Sequence, residues 1–434
     1  RSILMKSLEK LGMTDKFKMI HSLIFRVDMA LKKYIQLTSQ SKKILNIPKN
    51  FKHCENRRSD DFNRKNFSQE ILIEADLIIF LVGEYDDNDV LATAAACKIN
   101  DNNRAYVGRL YLNLKNLDFD YNNYFKQRSD IMVVFHEVLH IIGFEKVFLQ
   151  KGDAHNPFKG VPLGEQFGYL KKLENLPVDP IDQDFHWNAE YFGNDLMSPT
   201  DRIDNTITIY TLEYLDSISP EIKTDRSALP NNFMLDEITS FNSFFAYECK
   251  DDDPAPDYSV YCDFEEVSSR KNSCDRSRLY KTTCGRQRLA NNCFSKKPLT
   301  KYACSNVFQS KENIKMFETY GNSSRCFNTQ KGGAMYNSMC LDFEVNDAGV
   351  LIKSEGFEYQ CTETGQVLTM KTEKEGQVYE LDVVCPDAEE MRELYRKTYC
   401  PFNCYGYGFC SIGKCSCFDG FSAKDYCRDK TVSS

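Results

Sequence analysis

Two histidines four residues apart, with a glutamate directly after the first, stand in His136-Glu137-Val138-Leu139-His140, and Ile141-Ile142-Gly143-Phe144 follows. On a helix, residues at i and i+4 lie one turn apart on the same face, so both imidazoles can reach one metal ion. Glu137 points about a quarter-turn away, where a carboxylate can hold and deprotonate a water at the ion instead of ligating it. The chemistry such a set supports is hydrolysis assisted by one Zn2+ ion, with Glu137 as the catalytic general base.

The element that must position these groups is legible around them. Ile131-Met132-Val133-Val134-Phe135 enters the segment without a charge, and Val138, Leu139, Ile141 and Ile142 continue it. A helix so apolar on nearly every face must be largely buried. Ser129 is placed to cap its start. The polar side chains of that stretch are His136, Glu137 and His140. Burying them without partners costs several kcal/mol, and a bound cation offsets that cost. The competing reading is a buried helix with two hydrogen-bonded core histidines; the spacing and the intervening glutamate favour the metal.

Catalytic zinc normally takes three protein ligands and keeps one position for water. Gly143 suggests a helix end in the left-handed conformation, turning the chain back toward the metal. In the pattern H-E-x-x-H-x-x-G-x-x-H the third histidine would fall at Lys146, a poor ligand at neutral pH. The sequence contains six histidines. His21 lies in an amphipathic helical stretch and His53 beside Cys54, and both read as ordinary surface or packing residues. His155, in the turn-rich Gly152-Asp153-Ala154-His155-Asn156-Pro157, is the weaker candidate. His186 is favoured, because Phe185-His186-Trp187 is followed by Asn194-Asp195-Leu196-Met197-Ser198-Pro199. A methionine in a tight turn after the third histidine is the second half of the metzincin signature, its thioether packing beneath the imidazoles without competing as a ligand. Met197 is the candidate Met-turn residue.

Around the site, helical periodicity runs from about Asp15 to Thr38, with Ile20, Leu23, Ile24, Val27 and Leu31 on one face. Ile71 to Val82 and Arg104 to Leu114 read as strands, and Ile209 to Leu215 as a helix. Cys54 and Cys97 are the only cysteines before the site, which pairs them across this small sheet. From Cys249 to Cys385 there are ten cysteines among Gly, Asn and Ser turns and few helix signals. That region reads as a disulfide-stapled, mostly β domain whose connectivity the spacing does not give. The expected fold class is α+β, with a mixed sheet, the site helix and a lower subdomain. The expected divisions are 1–145, 146–230 with the third ligand and Met-turn, 231–395, and 396–434. The catalytic cleft is expected between the first two, with an extended peptide lying along an edge strand of the upper sheet.

Composition narrows the context. At 434 residues there is room for two or three domains. An even number of cysteines, 18, points to disulfides and an oxidising compartment. The sequons Asn66-Phe67-Ser68 and Asn322-Ser323-Ser324 fit the secretory route and make Asn66 and Asn322 glycosylation candidates. A net charge of −8 argues against a nucleic-acid partner. The basic residues Arg270, Lys271, Arg276, Arg278, Lys281, Arg286 and Arg288 read as a solvated face, and Asp251-Asp252-Asp253 as a loop. No apolar run approaches the ~20 residues of a membrane helix. The chain begins at Arg1 with no apolar signal segment, which reads as a processed product, so an extracellular or cell-surface location is inferred from the cysteines.

The arrangement resembles the leishmanolysin-type metalloproteases, which carry a long insertion between the second and third zinc histidines. His136, Glu137, His140 and Gly143 match the helix motif, His186-Trp187 the third-ligand segment, and Leu196-Met197 the Met-turn. Ala75 to Val82 and Val90 to Cys97 look like the family's strand and following cysteine segment, and Ser273-Cys274-Asp275-Arg276 is similar to a motif of its cysteine-rich half. Two departures stand out: Asn188 replaces an acidic residue after His186-Trp187, and Leu215-Asp216-Ser217-Ile218 lacks a Gly-Trp ending. The resemblance implies a zinc metalloendopeptidase acting on proteins or peptides, a preference for apolar side chains just after the cut, and removal of an inhibitory propeptide. The last cysteines, Cys400 to Cys427, resemble an EGF-like module. That resemblance implies the pairs Cys400–Cys410, Cys404–Cys415 and Cys417–Cys427 and suggests a cell-surface or matrix partner. The alternative is a catalytically silent adhesion or structural protein acting through its cysteine-rich and EGF-like regions. Glu137 counts against it, because a purely structural zinc has no use for that carboxylate.

Overall fold

The computed structural model describes residues 14–37, 43–47, 50–52, 64–66, 71–117, 124–145, 148, 186–187, 194–199, 205–226, 262, 267, 272–275, 277–288, 294–309, 311, 314–331, 334–398, 400–411, 414–418 and 420–429. Helix α1 (Thr14–Tyr34) opens this set. Its buried positions Ile20, Leu23, Val27, Ala30 and Tyr34 recur every three or four residues, the spacing that makes one apolar stripe. The helix stops at Tyr34 instead of running to Thr38, because strand β1 (Ile35–Leu37) follows and pairs antiparallel with residues 222–224.

Strands β2 (Lys43–Ile47), β3 (Asn50–Lys52), β4 (Arg64–Asn66) and β5 (Ile71–Ala75) form two small antiparallel pairs, β2 with β5 and β3 with β4. Then come β6 (Ile78–Glu84), β7 (Ala92–Ile99) and β8 (Ala105–Asn113). The expected single strand from Ile71 to Val82 is thus two strands in different sheets. A bend at Asp76 separates them, and buried Arg104 fixes it by donating from Nη1 to the Asp76 carbonyl at 2.5 Å. The three-stranded sheet has the order β6-β8-β7, with β6 parallel to β8 and β7 antiparallel to it, so the expected mixed sheet is present.

Helix α2 (Tyr124–Ile142) carries the histidine pair and lies against this sheet. Gly108 of β8 makes the approach close: a Cβ there would sit 2.3 Å from Ile141 Cγ2. Helix α3 (Ile209–Ile218) follows, then β9 (Ile222–Thr224), the partner of β1. One apolar core unites α1, α2, α3 and the β6-β8-β7 sheet, and it includes Cys404, Phe418 and Cys427 from the C-terminal end of the chain.

The next region is β-rich and disulfide-stapled. Strands β10 (Ser273–Cys274), β11 (Tyr280–Arg288) and β12 (Phe294–Ala303) make one antiparallel sheet. Strands β13 (Ser324–Lys331), β14 (Ala334–Asn346), β15 (Gly349–Ser354), β16 (Phe357–Cys361), β17 (Val367–Lys374) and β18 (Gln377–Val384) make a six-stranded one in the order β16-β15-β14-β13-β18-β17. Helix α4 (Ala388–Thr398) buries Met391 and Leu394 in a second core with Phe327, Phe343 and Ile352. Among the described residues, four disulfides hold the region: Cys262–Cys284, Cys274–Cys326, Cys304–Cys340 and Cys361–Cys385. The fold class is α+β.

Lys281, expected on a solvated basic face, is instead buried. Its Nζ lies 2.7 Å from Glu318 Oε1 and faces the rings of Tyr302 and Tyr320 at 5.2 and 5.8 Å. A buried lysine persists only when paired in this way. At the C-terminal end, a 3-10 helix (Pro401–Gly406) and the hairpin β19 (Gly408–Ser411) and β20 (Lys414–Cys417) are joined by Cys400–Cys410, Cys404–Cys415 and Cys417–Cys427. Among the described residues, no helix is long and apolar enough to cross a membrane.

Candidate metal centre

Helix α2 begins five residues before the expected cap. Ser129 is therefore interior, since Tyr124 to Arg128 contains no glycine or proline to stop a helix from starting earlier. Arg128 on that added turn is buried and donates from Nη2 to the Asn205 carbonyl at 3.0 Å, tying the helix to the segment before α3.

Along α2, Val134, Phe135, Val138, Leu139 and Ile141 are buried and leave His136 and His140 on one face. The His186 ring meets both. The three Nε2 atoms form a triangle with sides of 3.0 Å each: His136 to His140, His136 to His186, and His140 to His186. His136 Nδ1 donates to the Leu196 carbonyl at 2.6 Å, and His140 Nδ1 donates to the Phe144 carbonyl at 2.5 Å. A carbonyl can only accept, so both Nδ1 atoms carry the proton and both Nε2 atoms present lone pairs. The 3.0 Å approach of His136 Nε2 to His140 Nε2 then has no hydrogen to share. Two lone pairs held that close repel unless a cation lies between them. Protonation does not supply it: burial, and secondarily the neighbouring His140, push the His136 imidazole down to about 3. The three histidines therefore fit one metal ion, and neutral imidazoles, two of them here anchored by carbonyls, are the donor set zinc takes at ~2.0–2.1 Å.

The segment carrying the third imidazole is held by the turn that follows it. Ser198 N donates to the Asp195 carbonyl at 3.0 Å, closing a turn over Asp195-Leu196-Met197-Ser198. The Met197 carbonyl accepts from Trp187 N at 3.0 Å, and the Leu196 carbonyl is the acceptor for His136. Two successive carbonyls of one turn thus orient one of the three rings and the residue next to another. Met197 itself is fully buried in the core around α2.

Gly143 serves a different purpose from the one expected. It does not adopt a positive φ. It is glycine because a Cβ would lie 2.1 Å from Ile218 Cδ1 and 3.2 Å from Leu215 Cδ2, so α3 packs on its bare backbone. Tyr214 on α3 also donates its hydroxyl to the Gly143 carbonyl at 2.9 Å. The chain turns there with Phe144 N on the Leu139 carbonyl at 3.1 Å, which leaves the Phe144 carbonyl facing His140.

Residues 27–161 match the family model described as leishmanolysin, the M8 peptidases. That span of the chain is leishmanolysin-like. It takes in His136, Glu137, His140 and Gly143 and ends before His186 and Met197. The leishmanolysin family is one of zinc-dependent metalloproteases, and proteins are the substrates of such enzymes. No curated protein matches the chain.

The remaining expectations fall variously around this leishmanolysin-like span. Glu137 is half-buried beside His136. Cys97 is disulfide-bonded, while Cys54, its expected partner, lies outside the described residues, as do His53, His155 and Asp251 to Asp253. His21 is exposed on α1. Asn66 ends β4, and Asn322 is half-buried in the turn before β13. The sulfurs of Cys400, Cys404 and Cys415 cluster as closely as metal ligands do, but each belongs to a disulfide and offers no thiolate.

Sequence reasoning missed Asp195, Thr208 and Thr211. The fully buried Asp195 carboxylate accepts from Met197 N at 2.6 Å, Thr208 Oγ1 at 2.5 Å and Thr211 Oγ1 at 2.9 Å. Thr211 Oγ1 in turn accepts from Trp187 Nε1 at 2.8 Å. Burial raises the Asp195 carboxyl to about 6 against the downward pull of these donors. Thr208 is the N-cap of α3, which the sequence could have suggested; its link to Asp195 could not be read from spacing.

Proposed function

We propose that the chain is a secreted or cell-surface zinc metalloendopeptidase that hydrolyses peptide bonds of proteins. The observation that carries this reading is the triangle of Nε2 atoms, two of them fixed as lone-pair donors, with Glu137 next to His136 on α2. His136, His140 and His186 would hold one Zn2+, and Leu196 and Phe144 keep two of the rings in the ligating tautomer through their carbonyls. When bound, the ion supplies the Lewis acidity that makes water acidic near neutrality and polarises a scissile carbonyl. Glu137 accepts the proton from the attacking water and delivers it to the leaving amine. Strand β7, at the edge of its three-stranded sheet and rich in alanine, offers main-chain groups to an extended peptide, with the Ala96 amide already engaged by Glu145 at 2.5 Å. The leishmanolysin match over 27–161 supports the same reaction class. We divide the chain as 1–145, 146–230, 231–395 and an EGF-like 396–434.

Peptide cleavage beside zinc content tests the roles. Glu137→Gln is expected to keep the metal and to lose at least about a hundredfold in kcat, as loss of a general base does. His186→Ala is expected to lose zinc, while His155→Ala keeps it. Undiminished cleavage by Glu137→Gln overturns the general base. Zinc lost from His155→Ala alone overturns the third ligand.

A further inference from the structure

The C-terminal disulfide knot is docked on the back of the metal-site helix. Gly406, at φ +69°, brings backbone so close that a Cβ would lie 3.2 Å from both Ile131 Cδ1 on α2 and Arg26 Nη1 on α1. Ile131 precedes His136 by about 7.5 Å of helix axis. Arg26 is 5% exposed and joins all three parts. Its Nη1 donates to Gln127 Oε1 on α2 at 3.0 Å, its Nη2 donates to the Tyr407 hydroxyl at 2.6 Å, and its guanidinium carbon lies 3.8 Å from the Tyr407 ring centroid. Tyr407 is backed by Phe421, stacked at 4.1 Å, so the ring cannot retreat. On the α1 side, Lys33 Nζ donates to Ser416 Oγ at 2.7 Å and to the Cys417 carbonyl at 3.0 Å.

These contacts put the knot to a use different from that of an arm extended toward a partner. We propose that residues 400–427 are an intramolecular clamp that fixes α2 against α1, with Tyr407 as a positioning residue for the metal centre acting through Arg26 and Ile131. A bundle crossed by three disulfides within 28 residues has few internal motions, and it passes that rigidity to whatever it touches. It touches α1 through Arg26 and Lys33 and the N-terminal half of α2 through Ile131. The proposal rests on the zinc reading for its functional consequence but not for its structural content.

The test uses the whole chain with Tyr407→Ala and, as the conservative variant, Tyr407→Phe, which keeps the ring over Arg26. Three readouts are taken: zinc affinity against a competing chelator, the visible spectrum of the cobalt-substituted protein, and amide exchange across residues 127–136 of the metal-free chain. Tyr407→Ala is expected to weaken zinc about tenfold, the lower end for a group supporting a metal ligand. It is also expected to shift the cobalt bands and to speed exchange, and Tyr407→Phe recovers most of each. Zinc affinity within twofold of wild type, with unchanged bands and exchange, overturns the clamp. If Tyr407→Ala does not fold, Lys33→Ala, which deletes the α1 side of the same docking, is read by the same criteria, loss of α2 protection supporting the clamp and none overturning it. A wild-type chain that takes no zinc sinks the metal reading, and the exchange data still decide the clamp.

Discussion

With each Nδ1 proton committed to a carbonyl, His136 and His140 can gain a charge only by protonating Nε2, the atom that faces the other rings. Burial opposes this, and the His136 imidazole is pushed down from 6.5 to about 3. In the unfolded chain the same group binds its proton below about pH 6.5. Between these two values the unfolded state holds more protons, so this group's contribution to stability is complete above about pH 6.5 and is lost as pH falls toward 3. Asp195 works the other way. Its carboxyl rises from 3.8 to about 6, so the folded state holds the extra proton and stability falls as pH rises through that narrower interval. Denaturant midpoints of the metal-free chain are therefore expected to rise from pH 4 to pH 7, and His136→Gln is expected to flatten or invert that slope. A wild-type midpoint that falls over this range contradicts the assignment of tautomers. The motif itself was legible because two histidines and a glutamate at helical spacing mean something without a structure. Asp195 was not, because an aspartate before Leu-Met reads as a turn former, and only the fold brings Thr208 and Thr211 to it.

Among the elements, α2 and α3 meet where neither has a side chain to spare. An added methyl at Gly143 would collide with Ile218, and overpacking of this kind costs ~1–3 kcal/mol. Gly143→Ala is expected to lower thermal stability by that amount, and the double variant with Ile218→Ala to recover part of it. Additive losses would show that the glycine serves something other than this contact. Periodicity was enough to find α1, which buries one regular stripe, and β8, while the histidine motif and its apolar flanks gave α2. It could not find the break at Asp76, where a distant arginine takes a carbonyl, nor the early end of α1, where pairing with β9 overrides helical propensity. The glycine after the second histidine was noticed for the wrong property: spacing gives its position, and only packing gives its reason.

At the level of the whole molecule, the described residues form two large, separate cores. One holds α1, α2, α3 and the C-terminal knot, and the other holds the six-stranded sheet with α4. Cysteine pairs should behave according to the core they serve. Replacing Cys361 and Cys385 with serine removes a link spanning 24 residues, worth roughly 3 kcal/mol in chain entropy. That change is expected to loosen the six-stranded sheet, seen as faster amide exchange in residues 350–385, and to leave zinc affinity unaltered. The same replacement at Cys404 and Cys415 is expected to weaken zinc. Equal effects of the two pairs on the metal would mean the cores are not independent. The number of cysteines announced an oxidised, β-rich second half, but which sulfur meets which depends on strand order, and strand order is a property of the assembled sheet.

The short turn Asp195–Ser198 makes the three-ring cluster depend on chain far downstream of α2. Without it, the His136 ring loses its carbonyl acceptor for Nδ1, and the amide of Trp187, next to His186, loses the carbonyl it docks on. The carboxylate that shapes the turn is itself held by Thr208 and Thr211 at the start of α3. A stretch ending with α2 therefore carries two adjacent imidazoles without the carbonyl and the third ring that complete the cluster.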